Sequence, residues 1–267
     1  MPFKINNCRL DLEDRSFLSQ VPQLLMTSTA WKAFTRPAEV NIDWHRSENQ
    51  GRLGSCQGHG LTSVLERLAF ACGLTVQLSE IFAYLATQKI DGLLGSDSGS
   101  TISGGAKLAM ATGVPLESVT GYPGSYPSRS AIAQYLSKEN YEAAAQHKAK
   151  SLWQVEDNLD KTLDFLGGGG AITFGISWYS GLIPKDRVVR DFNPSRNKLL
   201  GGHAMAVLGY TKDGELKAAN SHADGPYIIT PSAWSKMLQH RSTAAIGLMG
   251  NPTAEPIDWY KNSPNNK

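Results

Sequence analysis

Cysteine is scarce in this chain, with Cys8, Cys56 and Cys72 the only three among 267 residues. So few, so widely spaced, exclude a disulfide framework and fit a protein made and used in a reducing cytoplasm. No apolar run reaches the roughly 18 residues that a membrane span needs, so no membrane partner is expected. The first residues carry Lys4, Asn6 and Asn7 where a secretory leader would place its apolar core. A dominant charge is missing as well. The formal net charge is +2, with no basic block and no interleaved aromatic–arginine run, which excludes an electrostatic nucleic-acid binder. No recognised zinc spacing occurs, so no metal is expected, and the Gly167–Gly170 run lacks the lysine-serine/threonine of a phosphate loop. No internal repeat is evident. With 41% apolar residues the chain can still bury a full core, as one large domain or two lobes.

What is present centres on Cys56, in the stretch Gln50-Gly51-Arg52-Leu53-Gly54-Ser55-Cys56-Gln57-Gly58-His59. Leu61, Val64, Leu65, Leu68, Ala69 and Cys72 then recur at three- and four-residue intervals, which predicts a helix stopped by Gly73. Cys72 falls on the apolar face and is expected in the core. Cys56 therefore stands at a helix N-terminus, where unpaired N–H groups favour a thiolate. A nearby imidazolium lowers such a thiol further, to about 3–4 in known pairs. Far downstream His203 opens the apolar strand that runs to Tyr210, and Lys212-Asp213-Gly214 is a turn that brings Asn220 back towards it. A thiol, an imidazole and an amide in that order are the parts of a cysteine-nucleophile hydrolase. Cys56 would attack, His203 would carry the proton, and Asn220 would orient the ring. The oxyanion donors would be the Cys56 backbone N–H and the Gln50 amide. His59, one helical turn beyond Cys56, is expected as a bystander or a modulator of the thiol.

These segments resemble the papain-like cysteine peptidases. Gln50 and Cys56 look like that family's oxyanion glutamine and nucleophile, His203-Ala204 through Gly209-Tyr210 like its histidine strand, and Asn220-Ser221 like its asparagine-serine. Leu78-Ser79-Glu80, Ser103-Gly104-Gly105 and the run Gly113-Val114, Glu117, Tyr122-Pro123 echo further family segments in the right order. The resemblance covers about residues 45 to 230. It implies an α+β, two-lobed fold, with a helical lobe over about 45–166 carrying the cysteine. An antiparallel β lobe over about 167–250 would carry the histidine and asparagine. It implies a cysteine endopeptidase acting on a peptide or protein substrate without a cofactor, with Gly104 and Gly105 in a cleft-lining loop. Gly202 would leave the neighbouring subsite uncrowded. Three positions depart from the pattern: Gln57 for the usual aromatic, Leu53 for a disulfide cysteine, and His222 for the tryptophan that shields the asparagine–histidine bond. These changes, with no secretory or inhibitory segment evident, also resemble compact peptidase-like proteins of bacterial viruses. The first alternative is thus a weak or inactive papain-fold component of a viral particle or other assembly, partnered by its structural subunits. A related acyl transfer, such as amide exchange or deamidation, is the second.

Along the chain, residues 1–44 read as an extension packed on the core through Phe17, Leu24, Leu25, Trp31 and Phe34. Helices are expected near 78–89 and 106–112, with Asp91–Gly105 as a loop, and residues 128–166 read as helical. Strands are expected near 171–178, 203–210, 215–220 and 226–230. The proline- and asparagine-rich residues 251–267 read as a tail.

Overall fold

Short polar side chains write the helix starts of this chain. Ser79, Thr101, Ser128, Ser137, Asn158 and Thr230 each accept a hydrogen bond from the backbone N–H three residues on. Each satisfies a donor that the first helical turn leaves unpaired. The computed structural model describes residues 8–23 and 34–250. Its helices are α1 (Arg15–Gln20), α2 (Cys56–Ala71), α3 (Glu80–Asp91), α4 (Ile102–Ala111), α5 (Glu117–Thr120), α6 (Arg129–Tyr135), α7 (Lys138–Ala144), α8 (Leu159–Gly167) and α9 (Pro231–Gln239). The strands are β1 (Ser151–Gln154), β2 (Ala171–Tyr179), β3 (Val188–Val189), β4 (Leu199–Tyr210), β5 (Leu216–Ala219), β6 (Tyr227–Ile229) and β7 (Ala244–Met249). They form one sheet in the order β1-β7-β2-β4-β5-β6-β3, antiparallel except where β3 meets β6. The fold is α+β, as the sequence implied. Among the described residues no helix is long and apolar enough to cross a membrane.

The sheet is packed on both faces, and the alternation along β4 shows how. Ala204, Ala206 and Leu208 join the core that holds Val64, Leu65 and Leu68 of α2. Met205 and Val207 join the opposite core with Phe174, Trp178 and Trp234. The α2 side of the sheet is built of small residues, so the helix comes close. Every residue of α2 except Ala69 is buried, polar ones included. Gly58 permits an equally close crossing with α3, because a Cβ there would lie 2.7 Å from the Glu80 carbonyl oxygen. A polar residue on α2 therefore has nowhere to go but into another polar residue.

Three local readings change. Residues 128–166 are not one helical stretch: Ser137 caps a fresh helix, and Ser151–Gln154 pair with β7 from Met249 to Ile246. The sheet edge overrides the helical reading at Leu152, whereas Leu159 does open a helix, α8. Cys72 is exposed rather than core, because α2 ends at Ala71 and the capping residue turns outward. Ser103, Gly104 and Gly105 belong to α4 rather than to a loop, since the Thr101 cap starts that helix earlier than its apolar spacing. Phe17 packs against the α2-side core and Phe34 lies beside Gly167. Leu24, Leu25, Trp31 and residues 251–267 lie outside the described residues.

Candidate active site

Cys56 is the first residue of α2 and His203 lies on β4, opposite Ile176 of β2. Asn220 follows β5 directly. Asn220 Oδ1 lies 2.8 Å from His203 Nε2 and also accepts the Ser221 N–H at 3.0 Å. That second bond identifies the oxygen, so the imidazole must donate from Nε2. Its Nδ1 is then the basic atom, and it is buried without a hydrogen-bond partner among the described residues. The backbone N–H of the next residue, Ala204, points at the Cys56 thiol. Cys56 and the strand that carries His203 thus meet where α2 packs on the sheet.

Gln50 is fixed just as tightly. The chain at 48–50 runs antiparallel to 221–223, with Gln50 N–H on the Ser221 carbonyl at 2.9 Å and Ala223 N–H on the Glu48 carbonyl at 2.8 Å. Ser221 Oγ donates to Gln50 Oε1 at 2.6 Å, and Gln50 Nε2 donates to the Leu53 carbonyl at 2.8 Å. Gln50 and Asn220 therefore share one scaffold. Gly54 N–H is held by Asp97 Oδ1 at 2.7 Å, which completes the turn into Cys56.

The thiol and imidazole are each about 1% exposed, and this changes their charge state. Burial pushes the Cys56 thiol up to about 12, against the N–H groups of Ala204, Gln57 and Cys56 that favour the thiolate. Burial likewise pulls His203 down to about 3, with His222 adding to the fall and Asn220 opposing it. The expected thiolate–imidazolium pair is, in this closed arrangement, a neutral thiol and a neutral imidazole. Residues 8–12 supply the cover. Cys8 N–H reaches the Gly202 carbonyl at 3.3 Å and Arg9 N–H the Ser100 carbonyl at 2.9 Å, so the segment bridges the sheet to the loop before α4. Cys8 is close enough to Cys56 that a charge on one thiol raises the other. Glu13 anchors the segment by accepting the Ile102 and Ser103 N–H groups at 2.7 and 2.9 Å.

The glycine assignments separate. Gly202 faces the covering segment, and a Cβ on it would collide with the Cys8 carbonyl oxygen. Gly104 and Gly105 are buried in the first turn of α4, where they make room for the side chains of Asp91 and Gln57. The wall of the cleft at that level is Ser100, after Gly99 in its left-handed turn (φ 85°). Spacing alone missed Ser100, and it also missed the aromatic that flanks the base. His222 stacks on His203 at 4.5 Å and 25°, and Trp178 of β2 meets the ring edge-on at 4.8 Å. The register of β2 against β4 places that tryptophan, and no local motif announces it.

Behind the turn lies a second buried polar group. His59 Nδ1 is 2.8 Å from Glu48 Oε2, and Arg46 Nη2 is 2.6 Å from Glu80 Oε1. Glu48, His59 and Glu80 bring atoms within 4.8 Å of one another, as do His45, Glu48 and Glu66. A metal could use such a spacing, but the Arg46 guanidinium already reaches into it, from 4.0 Å off Glu48 and 2.9 Å off Glu117. The cluster is an ion-pair network built around a protein cation.

No family model and no curated protein matches the chain. Solved structures do. Xylellain, a cysteine protease from Xylella fastidiosa, is 21% identical, with 89% of each chain covered and a TM-score of 0.69. Procathepsin B S9 from Trypanosoma congolense is 15% identical, covering 94% of this chain and 87% of that one, at a TM-score of 0.62. Digestive procathepsin L 3 from the Tenebrio molitor larval midgut is 14% identical, covering 88% and 77%, at 0.59. These neighbours lend no support to a phage or virion setting. With that likeness and the geometry around Cys56, the chain has the fold of the papain-like cysteine proteases.

Proposed function

We propose that this chain is a cysteine peptidase that cleaves peptide bonds through an acyl-enzyme on Cys56. The single observation that carries the reading is the 2.8 Å bond between His203 Nε2 and Asn220 Oδ1, which leaves Nδ1 as the basic nitrogen of the ring. Proton transfer from the Cys56 thiol to Nδ1 makes the thiolate, which attacks the carbonyl carbon of the scissile bond. The carbonyl oxygen takes the charge beside the Cys56 N–H and the Gln50 amide. The imidazolium then gives its proton to the leaving amine, and a thioester remains. Water, deprotonated by the same nitrogen, attacks the thioester and regenerates the thiol. The Gly202 carbonyl and Ser100 carbonyl, now engaged by Cys8 and Arg9, are the acceptors that a substrate backbone would use. A substrate therefore displaces residues 8–12.

The closed cleft favours one other reading, that of a papain-fold component whose nucleophile is never used, partnered by other subunits. Iodoacetamide labelling of Cys56 across pH 4 to 9, with peptide turnover in parallel, separates the two. In the protein lacking residues 1–14, labelling that sets in at lower pH than in the full chain and falls in His203→Ala, with turnover lost in Cys56→Ala, is the expected result. A labelling profile indifferent to His203→Ala, with no turnover after residues 1–14 are removed, would sink the peptidase reading.

A further inference from the structure

The Tyr122 hydroxyl touches three groups at once: the Gln50 carbonyl oxygen at 3.1 Å, Ser55 Oγ at 2.7 Å and His59 Nε2 at 3.2 Å. Gln50 and Ser55 are the two ends of the turn that presents the oxyanion glutamine and delivers Cys56. A phenol has one proton to give. The Gln50 carbonyl can only accept, so it receives that proton. Tyr122 must then accept from the Ser55 hydroxyl and from a protonated His59 Nε2. On its other side His59 Nδ1 lies 2.8 Å from Glu48 Oε2, a contact that needs one further proton between them. Glu48 Oε1 is buried with no hydrogen-bond partner among the described residues. An orphaned oxygen costs far less on a neutral carboxyl than on a carboxylate, so that proton rests on Glu48.

We propose that Glu48, His59 and Tyr122 are positioning residues, in which one proton shared by Glu48 and His59 holds the Tyr122 hydroxyl on Gln50 and so latches the oxyanion turn. Loss of that proton to solvent sets a carboxylate against the lone pair of Nδ1. The remaining imidazole proton moves from Nε2 to Nδ1 to meet it. Nε2 becomes an acceptor, takes the Tyr122 proton, and the Gln50 carbonyl is released. The groups facing this pair are Arg46 and His45 beside Glu48, Glu66 of α2, Glu80 of α3, Glu117 of α5 behind Arg46, and Asp97 on the turn. Burial of the Glu48 carboxyl holds the proton in place, with Glu117 adding to the effect and the Arg46 guanidinium opposing it. Burial pushes Glu48 up to about 8 and pulls His59 down to about 4, so the latch is present at neutral pH and lost as pH rises through about 8.

The kinetic part of the test rests on the peptidase reading; the exchange part does not. Hydrogen–deuterium exchange over residues 50–56, corrected for intrinsic exchange, is compared at pH 6.5 and 9 in the wild type, Tyr122→Phe and His59→Gln. The wild type should lose at least ~10-fold protection at the higher pH, by selective opening of the turn. Tyr122→Phe should be unprotected at both. His59→Gln, whose amide N–H donates at any pH, should stay protected at both. Peptide kcat in Tyr122→Phe should fall ~10- to 100-fold with KM within about twofold, as for a misplaced oxyanion donor. Alkylation of Cys56, which forms no oxyanion, should change by less than about threefold. Unchanged protection in Tyr122→Phe, pH-independent protection in the wild type, or protection lost equally in α3 and β4 would each overturn the latch. So would a His59→Gln turn as open as that of Tyr122→Phe. The predicted exchange pattern without any peptide turnover would uphold the latch and sink the peptidase reading instead.

Discussion

Two buried polar clusters flank the first two turns of α2, and they are built on opposite plans. At the helix start, Cys56 and His203 keep little company: Nδ1 has no hydrogen-bond partner among the described residues, and the thiol has only backbone N–H groups. One turn on, Glu48, His59, Arg46 and Glu80 pair chiefly with one another, and Glu80 Oε2 is one of the few atoms left over. Charge in the second cluster is balanced internally, so it persists without a ligand. Charge in the first can form only when something with dipoles of its own enters the cleft. In the closed state residues 8–12 fill that space with apolar and sulfur atoms, and desolvation outweighs the helix N-terminus. A helix start lowers a thiol only where solvent or a polar substrate shares the work. The reactive cluster is poised by what it lacks.

The comparison breaks most completely at Cys56. Cys56→Ala should remove peptide turnover by at least ~10⁴-fold, on the scale of nucleophile deletions in triad enzymes. Thermal unfolding should stay near that of the wild type, because a thiol with no side-chain partner stabilises little. A turnover loss under tenfold would show that another group attacks. Gln50→Ala comes next, and should lower kcat by ~10²–10³ while alkylation of Cys56 stays within a few-fold. Equal losses in both would mean that the glutamine holds the turn rather than the oxyanion, since its Oε1 and Nε2 bond Ser221 and Leu53.

Removing residues 1–14 should convert the first cluster from the covered to the reactive state. The thiol would fall from about 12 towards its ordinary ~8.5, raising the thiolate fraction at pH 7 by ~10³. The weaker nucleophile takes back between one and two decades, which leaves alkylation faster by ~10². The sign is fixed by the direction: a thiol raised by burial titrates late, so uncovering it moves the onset of labelling to lower pH. The second cluster, out of contact with the segment, should keep its exchange protection. An unchanged labelling profile would show that α2 and the sheet, rather than residues 8–12, bury the thiol.

The parts of this molecule that local chemistry encodes were legible in the sequence, and the parts that register encodes were not. The helix after Cys56, the strand from His203 and the return to Asn220 follow from apolar spacing and one turn signal. Asn220 and His203 meet at 2.8 Å because that hairpin is short. Trp178 could not be placed, since it reaches His203 through the pairing of β2 with β4, whose ends lie some twenty residues apart in sequence. Gly104 and Gly105 misled because two glycines in a row suggest a loop, whereas here they let Asp91 and Gln57 lie against a helix. Gln57, read as a departure from the family aromatic, accepts from Ser100 Oγ at 3.0 Å and so supports the cleft wall. Glu48 and His59 stand eleven residues apart with a turn between them, and no spacing rule joins them.

The finest test of the comparison is Gly202→Ala. A methyl group there meets the Cys8 carbonyl oxygen, so in the full chain it should loosen the cover and raise Cys56 alkylation by ~10-fold, part of what truncation achieves. In the protein lacking residues 1–14 the same methyl has no cover to displace. If a substrate backbone follows the path of Cys8, the methyl now obstructs the substrate instead, and KM for a peptide should rise by ~10-fold with alkylation unchanged, the size of effect that about 1.4 kcal/mol of overpacking produces. The two effects have opposite signs and one cause. A substitution that speeds alkylation in the long protein yet leaves KM untouched in the short one would show that cover and substrate approach Cys56 along different walls.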